Sequence, residues 1–186
     1  MVIVSALFVA GAYAPVSWWL LAIIGYLLLI PALLRTKRPV LHAWLFGLVL
    51  HLIVLRWSQI YVGVPPYLAL TLLQSLFSIP LGLHIRYRLP LSFLPLTFVF
   101  SEYARSHFPF GGFGWSNIGF TQVSAPYVHL AAVGGVYLVA FFLFALVCLR
   151  TKLQAAFLAG LFLISLFISN PVGERSISVA AIQGGY

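Results

Sequence analysis

Seven long apolar stretches occupy most of this 186-residue chain and decide what it can fold into. Of its residues 63% are hydrophobic and only 6% are charged, whereas a soluble domain carries about a quarter charged residues. A chain of this kind cannot cover a water-facing surface, and an apolar run of about 17 to 25 residues allows a helix to cross a bilayer. The composition therefore predicts an all-α polytopic membrane protein. Its roughly seven transmembrane helices are expected at 2–14, 16–34, 40–61, 67–87, 91–107, 126–149 and 153–169.

Prolines separate many of these stretches, because proline suits the first turn of a helix and breaks a helix interior. Pro31, Pro80 and Pro95 instead fall inside predicted helices, where we expect a kink or a shifted helix end. Gly134 and Gly135 lie in the sixth predicted helix, and we expect them to permit close contact with a neighbouring helix.

The basic residues predict the orientation of the chain in the membrane. Ten Lys and Arg against two Glu give a net charge of +8, and the basic residues form short clusters between apolar runs. That placement indicates membrane topology and gives no indication of nucleic acid binding. Seven of the ten share one side and three lie on the other, which predicts a cytoplasmic N-terminus and an extracytoplasmic C-terminus. The larger group is Arg35, Lys37, Arg38, Arg86, Arg88, Arg150 and Lys152, and the smaller is Arg56, Arg105 and Arg175.

A polar segment at residues 102–122 interrupts the apolar pattern. It contains Glu102, one of only two acidic residues, and Arg105 follows three positions later on the same helical face, where the two can pair. Ionisable groups near lipid are costly, so they mark a functional site by default. The pair either fixes helix packing or forms a polar wall for the head group of an amphiphile.

The segment continues into a loop rich in glycine and aromatic residues, predicted on the extracytoplasmic side. Its glycines allow close approach of a ligand or a helix, and its aromatic side chains suit the head-group level of a bilayer. An ordinary aromatic belt is one interpretation, and the mouth of a lipid site is the other. Polar side chains near the same mouth favour the second. The candidate substrate-binding residues are Glu102, Arg105, Trp115, Asn117 and Gln122.

The sequence shows no catalytic centre of its own. It has no serine-elbow, phosphate-loop or zinc motif, and its histidines do not have the spacing of a metal site. Cys148, the single cysteine, lies in an apolar run and is interpreted as a buried apolar residue. We therefore predict no catalytic residue, no metal and no cofactor for this chain. Residues 176–183 alternate as in a β-strand, which would need a sheet from elsewhere.

The polar segment resembles the bacterial apolipoprotein N-acyltransferase family. Members carry Glu-aromatic-x-Arg, then Gly-Phe-Pro-Trp, then Gly-aromatic-Ser-Gln and a proline. Here Gly114 stands where proline is usual, and Thr121 where serine is usual. The matching segments are 102–105, 112–115, 119–122 and Pro126, with further similarity at 13–15, Trp19, 37–39, 56–57 and 178–184.

The resemblance implies a multi-pass protein of the bacterial inner membrane whose helices hold phospholipid and diacylglyceryl lipoprotein. In the family, a nitrilase-like domain on the outer face carries a Glu-Lys-Cys triad. Its cysteine takes an acyl chain from phospholipid as a thioester and passes it to the α-amino group of the lipoprotein's N-terminal diacylglyceryl cysteine.

On this interpretation residues 1–170 form a transmembrane helical domain, and residues 171–186 form the first strand of a truncated nitrilase-like domain. The triad would lie in the missing domain, so the chain alone is expected to be inactive. It would be a fragment, or half of a split protein with a separate nitrilase-like chain as its partner. The alternatives are a non-catalytic membrane component, such as a transporter part or an assembly subunit, and a degraded remnant.

Overall fold

Helices make up 76% of the computed structural model, which describes residues 1–168 and contains no strand within that range. This part of the chain confirms the predicted all-α class. The strand predicted at 176–183 and the domain predicted at 171–186 lie outside the described residues. The α-helices are Val2–Gly11 (α1), Leu20–Arg35 (α2), Pro39–Val54 (α3), Gln59–Val62 (α4), Val64–Leu76 (α5), Ile79–Arg86 (α6), Leu94–His107 (α7), Ala131–Val147 (α8) and Lys152–Phe167 (α9).

The helices occur in all seven predicted stretches, but few are long enough to cross a bilayer. Within residues 1–168, two segments have the required length and apolar character: Val64–Arg86, with 23 residues, and Val128–Val147, with 20. A third span is possible if Pro39–Val54 and Arg56–Val62, bent by 47°, are counted as one. The structure thus supports a helical membrane protein with two or three spans by length and composition. Seven crossings and their orientation stay predictions.

Two of the three prolines inside predicted helices shift a helix end, as expected. Pro80 lies in the first turn of α6, just after α5 ends, and Pro95 lies in the first turn of α7, so both shift a helix end. Pro31 lies inside α2, which continues through it to Arg35. Pro39 begins α3.

The glycine pair in α8 corrects one expectation. Gly134 and Gly135 have non-helical backbone angles and interrupt α8, with φ +62° at Gly135. A Cβ on Gly135 would meet nothing within 4 Å, and one on Gly134 would meet Leu138 of the same helix. The pair therefore bends a helix by supplying glycine backbone conformations, and the predicted close contact with a neighbouring helix is wrong.

Small residues bring α1 and α2 into close contact. The Ser5 hydroxyl donates to the carbonyl of Gly25 at 2.7 Å, and a Cβ at Gly25 would lie 2.4 Å from a Val9 methyl. Small side chains at such crossings let helix backbones approach, as is common in membranes. The contact fixes the position of the turn between α1 and α2, which later contributes to the site.

An aromatic cluster joins α2, α7 and α8 in the core. The rings of Phe98 and Phe144 stack with centroids 4.1 Å apart, and Tyr26 meets each of them edge-on. Glu102 follows Phe98 by one helical turn, so it lies on the same inward face of α7. The packing of this cluster therefore directs the acidic residue toward the interior.

Candidate functional site

A buried ion pair forms the centre of the polar segment. Arg105 Nη2 donates to Glu102 Oε1 at 2.8 Å, which confirms the pairing predicted from their spacing on α7. Arg105 is 2% exposed and Glu102 is also buried. Neutralising the two charges against each other is what allows them to remain inside a largely apolar molecule.

The pair also fastens the following loop, residues 108–125, to the end of α7. Arg105 Nη1 donates to Ser116 Oγ at 2.6 Å and to the carbonyl of Phe113 at 3.1 Å. Glu102 Oε2 accepts the backbone N–H of Ile118 at 3.0 Å. Hydrogen bonds that involve a charged group are the stronger ones, so this loop is held at three points by one ion pair.

The turn between α1 and α2 holds the same loop from the other side. The Tyr13 hydroxyl donates to the carbonyl of Ser116 at 2.6 Å. Gln122 Oε1 accepts a hydrogen bond from the Tyr127 hydroxyl at 2.6 Å. Its Nε2 donates a longer hydrogen bond, 3.4 Å, to the carbonyl of Trp19 in the turn between α1 and α2.

Two glycines allow the loop to pack this closely. Gly112 has φ +78°, and a Cβ there would lie 2.1 Å from the backbone carbon of Ser106. A Cβ on Gly119 would lie 2.4 Å from a Val136 methyl on α8. Only glycine can occupy either position without displacing backbone or side chain, so both residues set where the loop meets α7 and α8.

A cavity of about 590 Å³ lies between this loop, the end of α7 and the start of α8. Trp115 is 72% exposed at this cavity, and its ring centroid is 5.9 Å from that of Trp57. Asn117 also lines it. The Asn117 Oδ1 accepts the N–H of Gly119 at 2.9 Å, while Nδ2 is buried without a hydrogen-bond partner among the described residues. The lining of this Trp115 cavity is Ser106, Gly114, Trp115, Asn117, Phe120, Val136 and Tyr137.

The five candidate residues thus fall into two groups. Trp115 and Asn117 line the cavity, although Asn117 is itself buried, whereas Glu102, Arg105 and Gln122 are buried and hydrogen-bonded within the protein away from it. The void beside the ion pair is only about 20 Å³, which is room for one water molecule and not for a head group. The buried group positions the loop, and direct contact of any of the five with a substrate stays a prediction.

Several residues of this centre were not singled out by the sequence. Ser116 and Tyr137 gave no signal that separates them from ordinary loop and helix residues. Gln74 did: with Thr71 and Ser75 it forms a polar stripe at helical spacing within an apolar stretch, and its Oε1 lies 3.5 Å from Arg105 Nη1. That stripe could have indicated which face of α5 meets the ion pair.

Groups that could hold a metal ion are absent from residues 1–168, where no three His, Cys, Asp or Glu side chains come together. Cys148 is buried at the end of α8, away from the loop. The described residues therefore provide a shaped and partly apolar cavity with polar support.

The apolar helices and the buried ion pair define a helical membrane protein with a cavity beside its polar loop. The family model for the apolipoprotein N-acyltransferase N-terminal domain matches residues 5–149. The chain therefore belongs to this family, as the motifs in the polar segment predicted. Membership brings membrane association and implies lipid and lipoprotein as the substrates of the family.

Proposed function

We propose that this chain forms the membrane portion of an apolipoprotein N-acyltransferase and positions phospholipid and diacylglyceryl lipoprotein at the Trp115 cavity. The overall reaction moves an acyl chain from a phospholipid ester oxygen to the α-amino nitrogen of the lipoprotein's N-terminal cysteine, which forms an amide and leaves a lysophospholipid. We assign residues 1–168 to substrate positioning, and none of them to the chemical step.

One observation carries the proposal: a loop held by the ion pair presents an exposed tryptophan over an apolar cavity whose lining includes Asn117, a residue with a buried and unpartnered donor. The ion pair and the Tyr13 bond fix Ser116, the immediate neighbour of Trp115. Apolar sites with a few fixed polar groups are typical of lipid-like ligands. Asn117 Nδ2 is buried beside this cavity, and an ester carbonyl that displaced the atoms covering it would give it the acceptor that it lacks.

The proposal also includes the topology of the chain. We propose seven membrane crossings with the N-terminus in the cytoplasm, which follows from the seven basic residues on one side and three on the other. The 108–125 loop then lies at the extracytoplasmic leaflet of the inner membrane. The aromatic side chains of this loop, largely exposed at Phe108 and Phe110, suit that depth.

Photolabelling with a diazirine-bearing phospholipid, in membranes that contain the chain, tests this function. We expect cross-links to concentrate in the segment 106–137. Trp115→Ala should lower labelling of that segment several-fold. Trp18→Ala is the matched control, because Trp18 is also exposed, at 53%, and is predicted on the same side. Equal labelling of all lipid-facing helices, or labelling that does not change in Trp115→Ala, would overturn the proposal.

A further inference from the structure

A second cavity lies at the opposite predicted face, where α2 leads into α3 and α6 ends. It has a volume of about 760 Å³, within the usual range of small-ligand sites. Three exposed cations, Lys37, Arg38 and Arg86, stand around it. Its apolar lining includes Leu41, Trp44 and Leu76. We call this cavity the basic groove.

Close packing of two helices brings the cations of the basic groove together. A Cβ on Gly82 would lie 2.5 Å from the Cα of Val40, so only glycine lets α6 approach the start of α3 this closely. Arg86 follows Gly82 by one helical turn and therefore lies on the same face of α6. The N–H groups in the first turn of α3, which lack partners within the helix, lie at the same place.

The basic groove has no carboxylate partner within residues 1–168. Glu102 is the one acidic residue in that range, and it is paired with Arg105 at the other predicted face. Three cations held near one another without an anion repel each other, and an added anion would relieve that repulsion. The apolar lining beside them indicates that this anion carries a hydrocarbon part.

We propose that the basic groove binds the phosphate head group of an anionic phospholipid, with its chains lying along Leu41, Trp44 and Leu76. Basic pockets between membrane helices on the cytoplasmic side suit such head groups, and interfacial tryptophan suits the glycerol level. This site is separate from the Trp115 cavity and does not depend on its function. It would anchor the cytoplasmic ends of α3 and α6 to the inner leaflet.

Native mass spectrometry of the detergent-purified 186-residue chain, titrated with phosphatidylglycerol or phosphatidylcholine, tests the proposal. The groove variant is Lys37→Gln/Arg86→Gln. The control is Arg150→Gln/Lys152→Gln, which removes the same two charges from the same predicted side. We expect the unaltered chain to retain phosphatidylglycerol over phosphatidylcholine, and the groove variant to bind phosphatidylglycerol about 30-fold more weakly. The control should bind it almost unchanged.

Each contrary result overturns the proposal. Equal retention of the two lipids by the unaltered chain, which requires no variant to fold, would show that the groove does not select an anionic head group. An equal loss in both variants would indicate attraction to the general surface charge. Displacement of phosphatidylglycerol by inorganic phosphate at equal concentration would show that the ligand is free phosphate.

Discussion

The Glu102 carboxylate accepts the backbone N–H of Ile118 at 3.0 Å, which joins the end of α7 to a residue sixteen positions later. The other oxygen of the same carboxylate accepts from Arg105. One buried acid thus both neutralises a cation and holds the 108–125 loop. The position of Trp115 over its cavity depends on both bonds of this carboxylate, because the ion pair holds the neighbouring residues Ser116 and Ile118.

Glu102→Ala should destabilise the protein strongly, because it leaves the buried Arg105 charge without its partner. We expect a loss of about 3 kcal/mol in the free energy of unfolding. The double variant Glu102→Leu/Arg105→Met should lose less than the single one, since it leaves no uncompensated charge. Unfolding in detergent, followed by circular dichroism, measures both. A double variant less stable than Glu102→Ala would argue against the ion-pair account.

Ser116→Ala should cost more stability than Ser106→Ala. The Ser116 hydroxyl is buried and accepts from the Arg105 guanidinium, whereas the Ser106 hydroxyl only donates to the Glu102 carbonyl in its own helix. A hydrogen bond to a charged group contributes about 1.5–3 kcal/mol, and a local bond within a helix contributes little. Thermal unfolding of the two variants compares them directly. Equal losses would mean that Ser116 does not anchor the loop.

Gly112→Ala and Gly111→Ala separate backbone strain from close packing. Both glycines have positive φ, +78° and +89°, so alanine at either position should cost about 1–2 kcal/mol. A Cβ at Gly112 would also collide with the backbone at Ser106, whereas one at Gly111 meets open space. Gly112→Ala should therefore be clearly the less stable variant. Similar melting temperatures for the two would show that the loop does not pack on α7 as described.

Asn117→Ser tests the unpartnered donor without removing the turn that Asn117 caps. A serine oxygen can still accept the N–H of Gly119, so stability should change by less than about 1 kcal/mol. The amide donor is lost, and we expect weaker labelling of the Trp115 cavity by the diazirine phospholipid. Asn117→Ala, which removes both functions, should lower stability as well. Full labelling of a stable Asn117→Ser protein would rule out the ester-carbonyl contact.

Much of this fold could be predicted from the sequence, because apolar length, proline position and the spacing of charged residues determine most of it. Apolar length, together with proline position, located the helices, and the spacing of Glu102 and Arg105 predicted their ion pair. Local spacing does not report partners that are distant in sequence. The bond between Tyr13 and Ser116 spans 103 positions, and neither residue has a pattern that indicates the other.

The lengths of the helices could not be predicted from the sequence as well as their locations. The stretch at 2–14 predicted a span, but α1 contains only 10 residues and ends with Ala12 at its C-cap, three positions before Pro15. Gly134 and Gly135 looked like a packing motif, and the same permissive backbone instead produced a break in α8. Composition cannot tell these two uses of glycine apart, because they differ only in what surrounds the residue.

The location of the 108–125 loop on the extracytoplasmic side is the central claim, and cysteine accessibility in intact cells tests it most directly. In a Cys148→Ala background, which removes the single cysteine, the variants are Phe110→Cys and Leu153→Cys, both at largely exposed positions. A membrane-impermeant maleimide should label Phe110→Cys in intact cells and Leu153→Cys only after permeabilisation. Labelling of Leu153→Cys in intact cells, with Phe110→Cys protected until permeabilisation, would contradict the account.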